Sequence, residues 1–107
     1  MKFAVSTLRR AESDIIRTHA WIAERSDEGA NRWYEAARQA IKSLGQDADR
    51  HGLAPENEEL TIELRQKVFK TRRGRPYRLL YTIVSNEVRV LRVRGPGQSS
   101  VIAEDIL

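Results

Sequence analysis

Apolar residues recur along the chain with two different periods, and the change of period marks the expected elements. Residues 1–6 alternate weakly, with Phe3 and Val5 on one side, which predicts a short first strand. Ser6 or Thr7 then offers a side-chain oxygen to cap a helix. Leu8, Ala11, Ile15, Thr18 and Ile22 follow at steps of three and four, one apolar stripe of a helix ending near Arg25. Asp27 is the expected cap of a second helix, with Glu28 in the turn where the dipole favours negative charge. Ala30, Trp33, Ala37, Ile41 and Leu44 repeat the stripe, and Gly45 is the expected stop. Two such helices with a short link pack as an antiparallel hairpin, and both Trp21 and Trp33 read as packing residues.

Beyond residue 45 the period falls to two. Residues 46–59 are polar, with a Pro and a Gly, and read as a loop holding at most one helical turn. Leu60, Ile62 and Leu64 alternate with Thr61, Glu63 and Arg65, which predicts a strand. The adjacent Val68 and Phe69 break the alternation and predict a bulge or the strand end. Tyr77, Leu79, Tyr81 and Ile83 form one face of a strand whose other face is also largely apolar, as expected of a central strand. Ser85-Asn86 predicts a tight hairpin turn, because Asn tolerates positive φ. Val88, Val90, Leu91 and Val93 make the last strand, which Gly95-Pro96-Gly97 ends. The tail can dock through Val101, Ile102, Ile106 and Leu107.

The expected architecture is α+β: an N-terminal strand and an antiparallel helical hairpin packed on a C-terminal three-stranded antiparallel meander. With 107 residues, 40% hydrophobic and 32% charged, the chain is expected to form one domain over residues 1–107. A core of that size leaves little room for a deep pocket, so chemistry or binding is expected on an open surface. There is no apolar run of roughly 18 residues, which argues against a membrane span and for a cytoplasmic protein. Cysteine is absent, and His19 and His51 lie far apart, so no metal site or cofactor is expected.

Charge changes this picture. Residues 65–94 hold ten cations and a single acid, Glu87, whereas residues 1–64 carry nine cations and twelve acids. Arg65, Arg78, Arg92 and Arg94 are expected on the uncovered sheet face, with Arg72, Arg73 and Arg75 in the loop before the central strand. Such a surface attracts nucleic acid or an acidic protein. Against nucleic acid alone, no aromatic residue is interleaved with the cations between Lys70 and Arg75 to stack on bases.

Five strings carry a resemblance: Ala11-Glu12-Ser13-Asp14-Ile15, Ala30-Asn31-Arg32-Trp33, Ile62-Glu63-Leu64-Arg65, Pro76-Tyr77-Arg78-Leu79-Leu80-Tyr81 and Val88-Arg89-Val90-Leu91-Arg92-Val93. In this order and spacing they resemble the toxin superfamily of bacterial type II toxin–antitoxin modules, the group of the ParE and RelE toxins. The resemblance covers most of the chain. It implies a small toxin neutralised in a hetero-oligomer by a co-expressed antitoxin.

Two activities divide that superfamily. The RelE-like branch cleaves messenger RNA on the ribosome without a metal; the ParE-like branch inhibits DNA gyrase by binding. Metal-free cleavage needs a base, an acid and cations around the phosphorane. Glu63, Arg65, Lys70 and Arg78 are the residues that could supply it here. The RelE-like pattern places a tyrosine, often with a histidine, after the last strand. Here residues 95–102 contain no titratable side chain. Tyr77 and Tyr81 read as core, Glu63 as the surface partner of Arg65, and His51 as a solvated loop residue. Arg78 could also pair with Glu63 across the sheet. The reading is therefore a ParE-like toxin, with the ribosome-dependent nuclease and a non-toxic antitoxin-binding member as alternatives. An acidic, amphipathic antitoxin is expected to contact Arg65, Arg78 and Arg92, and the helix surface near Trp21 and Tyr34.

Overall fold

The computed structural model describes residues 2–106, so residue 1 of the expected first strand and Leu107 of the expected docking tail lie outside the described residues. Strand β1 (Ala4–Thr7) leads into helices α1 (Arg9–Ala23) and α2 (Asp27–Asp47). Two 3₁₀ turns, Ala48–Arg50 and Pro55–Glu59, precede strands β2 (Arg65–Phe69), β3 (Tyr77–Val84) and β4 (Glu87–Arg94), and a last helical turn, α3, spans Ala103–Ile106. The sheet order is β1-β4-β3-β2. The three C-terminal strands form the expected antiparallel meander, and β1 adds a parallel edge against β4 from Ala4↔Glu87 to Thr7↔Val90.

The helices end differently from the sequence expectation. Neither Ser6 nor Thr7 caps α1; Leu8 holds that position and makes no side-chain cap bond. Ser26, not Asp27, caps α2, its hydroxyl accepting the Gly29 amide at 2.9 Å. Gly45 does not stop α2 but lies buried in its last turn. Its carbonyl, one of the groups a helix C-terminus leaves without a partner, accepts the amides of Lys2 and Phe3 at 2.9 Å each.

The stripes of both helices meet one sheet face. Ala11, Ile15, Trp33, Ala37, Ala40 and Leu44 pack on Phe69, Leu79, Tyr81, Val88, Val90 and Val93. Tyr81 is fully buried, its hydroxyl donating to the Ala48 carbonyl at 2.6 Å, and burial pushes its pKa up to about 12. Tyr77 is half-buried at the end of this cluster, as the core reading of both tyrosines requires.

The opposite face is not open. Leu80 and Leu91 are covered by Ala54, Leu64 and Val101, with Leu60, Ile62 and Ile106 packed around them. Residues 60–64 thus form an irregular segment that lies over the sheet, and the strand expected there begins only at Arg65. Leu64 and Leu80 have no exposed surface, and burying each contributes about 1.5–3 kcal/mol, enough to hold an irregular segment in place. The sheet irregularity falls in β4 rather than β2. Leu80 faces Arg92 and Tyr81 faces Val90, so Leu91 is the extra residue of a bulge, while β2 simply ends at Phe69. The hairpin turn places positive φ at Ser85 (57°) rather than at Asn86.

Candidate functional site

Covering the second face consumes most of the cations expected to stand free on it. Arg78 makes a two-bond pairing with Glu56, at 2.9 and 2.8 Å, and a third bond to Gln66 at 3.0 Å. Glu56 also accepts the Val101 amide at 3.2 Å, so one carboxylate ties β3 to the tail. The Arg78 guanidinium outweighs desolvation and lowers the Glu56 carboxyl to about 2. Arg92 pairs with Asp14 of α1 at 2.8 and 2.9 Å and donates to the Asp105 carbonyl at 3.1 Å. Arg94 pairs with Asp105 at 3.2 Å. Arg65 donates to the His51 carbonyl at 2.6 Å and to Glu63 at 2.8 Å.

The expected outward platform of Arg65, Arg78, Arg92 and Arg94 therefore does not exist. Their guanidinium groups fold back on carboxylates and carbonyls because a covered sheet face must neutralise the charges it buries. Arg78 takes Glu56 rather than Glu63, while Glu63 and Arg65 form the expected surface pair. Of the four residues considered for RNA cleavage, Glu63 and Arg65 do meet, as a surface pair, whereas Arg78 is held by Glu56 and Lys70 lies exposed beyond the end of β2. His51 is half-buried, 3.4 Å from Asp47, not freely solvated. Among the described residues no group of His, Cys, Asp or Glu converges to hold a metal.

The loop cations are different. Arg72, Arg73 and Arg75 are exposed and form no ion pair among the described residues. They wall a groove of about 950 Å³ whose other side is the tip of the helical hairpin, with Arg17, Trp21, Ile22 and Arg32, and whose end is Gly95, Pro96 and Gln98. No acidic side chain lines it. Arg17 reaches back to Asp14 at 2.6 Å yet stays 66% exposed, and Arg32 lies 3.7 Å from Glu28.

Trp21 is 55% exposed, with the Arg25 guanidinium 4.2 Å above its ring, so the packing expected of it fails. Trp33 does pack, against Tyr77 and Phe69 at 5.2 and 5.9 Å between ring centres. Its buried indole N–H has no hydrogen-bond partner. Tyr34 belongs to another place, a shallow depression between the helices with Ile15, Ile16 and Ile41, and is 45% exposed.

A profile of the ParE toxin of type II toxin–antitoxin systems matches residues 5–98. This chain belongs to the ParE toxin family. A solved structure described as the chromosomal ParDE toxin–antitoxin system from P. aeruginosa superposes with a TM-score of 0.65 at 17% identity, covering 88% of this chain and 96% of that one. At that identity the likeness concerns the fold. Among curated proteins, none matches the sequence. No helix is long and apolar enough to cross a membrane among the described residues.

For this ParE-family chain, sequence reasoning missed Asp14, Glu56, Arg17 and Arg32. Asp14 was legible, since it falls between Ala11 and Ile15 on the buried stripe of α1, where an acid needs a cationic partner. Glu56 had no such signal, because its segment has no period.

Proposed function

We propose that residues 1–107 act as one toxin domain that inhibits DNA gyrase by binding it in the cytoplasm, and that a cognate acidic antitoxin neutralises it in a hetero-oligomer. The observation that carries the binding reading is the commitment of the candidate chemistry elsewhere. Arg78 is locked to Glu56, Glu63 faces outward with Arg65, and the Tyr81 hydroxyl is buried against Ala48 with its pKa raised to about 12. A general base beside free cations is what cleavage needs. Arg72, Arg73 and Arg75 remain available to an acidic partner, and Trp21 and Tyr34 supply exposed aromatic surface on the helices. An antitoxin segment that covers both is acidic and amphipathic.

Induced expression without antitoxin, followed by gyrase supercoiling and transcript-cleavage assays on the purified chain, tests this. The expected result is inhibited supercoiling with transcripts intact. Ribosome-dependent cleavage lost in Glu63→Gln and Arg78→Ala would replace it with the nuclease reading.

A further inference from the structure

The groove at the hairpin tip has a chemistry of its own, and it goes beyond the gyrase-binding reading. Five guanidinium groups, from Arg17, Arg32, Arg72, Arg73 and Arg75, line it without a carboxylate or a lysine. A planar guanidinium offers paired donors that match phosphate oxygens. Within the same groove Trp21 stands 55% exposed, and Trp33 lines it with a buried N–H that lacks an acceptor. The apolar lining is mostly aromatic, Trp21, Trp33 and Tyr77, with Ile22 and Pro96 as lesser parts. Bases stack on aromatic rings whatever their identity.

We propose that this groove binds a short stretch of single-stranded nucleic acid, its phosphates held by the loop and hairpin arginines and one base stacked on Trp21. The basic loop has no aromatic residue of its own. The fold supplies what the sequence lacks by bringing Trp21 from α1 and Tyr77 from β3 beside it.

The test titrates the full chain with a fluorescein-labelled deoxythymidine 12-mer, its duplex with deoxyadenosine, and a poly-glutamate of equal charge. Single strands are expected to bind, quench tryptophan emission, and weaken with salt at a log–log slope of about −2 to −3.5, for three to five phosphates. Trp21→Ala is expected to lose about 5- to 100-fold in affinity and Trp21→Phe no more than about threefold. Arg72→Glu with Arg73→Glu, both in an exposed loop, is expected to lose at least about tenfold with unchanged circular dichroism. Equal binding of duplex or poly-glutamate overturns the proposal, as does affinity unchanged in Trp21→Ala or in the double arginine variant.

Discussion

Asp14 of α1 and Arg92 of β4, 78 residues apart in sequence, meet in a two-bond pairing at 2.8 and 2.9 Å that closes the edge of the sheet. Parallel pairing of β1 ends at Thr7↔Val90, and the Leu8 amide adds one more bond to the Val90 carbonyl. Beyond that point the chain turns into α1, and the Val93 amide would face nothing. The Asp14 carboxylate takes it, at 2.9 Å. One side chain therefore continues the sheet where the strand stops and neutralises the arginine beside it.

Removing that carboxylate leaves the buried Val93 amide without a partner and a guanidinium only 12% exposed with Asp105 alone to compensate it. Breaking one side of a buried pair costs about 3–5 kcal/mol. Asp14→Ala is expected to lose stability in that range, measured by urea denaturation near pH 7. Asp14→Asn keeps an acceptor for Val93 and is expected to lose less. If the alanine variant unfolds within about 1 kcal/mol of the parent, the pairing does not hold the edge.

Glu56 ties stability to pH. Its carboxyl titrates at about 2 in the folded chain against 4.5 for the free group, chiefly because Arg78 hydrogen-bonds the ionised form. The folded state thus binds its proton less readily than the unfolded state. The contribution is fully present above pH 4.5 and is lost as the pH falls towards 2, on the order of 3 kcal/mol in all. Denaturation midpoints measured from pH 6 down to 2.5 are expected to fall in the parent. In Glu56→Gln they should start lower and fall less across the same window. Parallel slopes for the two proteins would assign the acid sensitivity to other groups.

The elements that announced themselves in the sequence are those whose burial is periodic. The stripes of α1 and α2 and the alternation of β3 held because each buries one continuous face. Leu60, Ile62 and Leu64 carried the same period-two signal without forming a strand: apolar side chains from an irregular segment can fill the second face just as well. The four arginines misled for a related reason. Alternation places a residue on a face, but whether that face meets water depends on segments distant in sequence, here Glu56 and the tail around Val101 and Asp105. The groove was illegible because its two walls come from stretches far apart in sequence, the hairpin tip and the loop of residues 71–76, and no periodicity brings them together.

Helix α2 offers a test of which residue starts it. Ser26 has extended backbone geometry (φ −161°, ψ 112°) and its hydroxyl accepts the Gly29 amide, whereas Asp27 already belongs to the first turn. Losing the cap costs about 0.5–2 kcal/mol, and losing a first-turn charge about 0.3–1 kcal/mol at low salt. Ser26→Ala is therefore expected to destabilise the chain more than Asp27→Ala, and the gap should widen as salt screens the charge. Thermal unfolding at two salt concentrations gives both comparisons. A larger loss in Asp27→Ala would restore that residue as the dominant start signal.

Gly95 holds the end of the groove through what it omits. A Cβ there would sit 2.5 Å from Cε2 of Tyr77 and 3.0 and 3.1 Å from two neighbouring ring atoms. That ring cannot retreat freely, because it packs on Trp33 at 5.2 Å and on Phe69 at 6.0 Å between centres. Gly95→Ala is thus an overpacking change, expected to cost about 1–3 kcal/mol and to alter the near-ultraviolet dichroism of the aromatic cluster. Shrinking the neighbour separates this from a backbone effect. In a Tyr77→Leu background the alanine meets a smaller, more flexible side chain, so its cost should fall by at least about 0.5 kcal/mol. An undiminished cost in that background would place the requirement for glycine in the backbone rather than in contact with the ring.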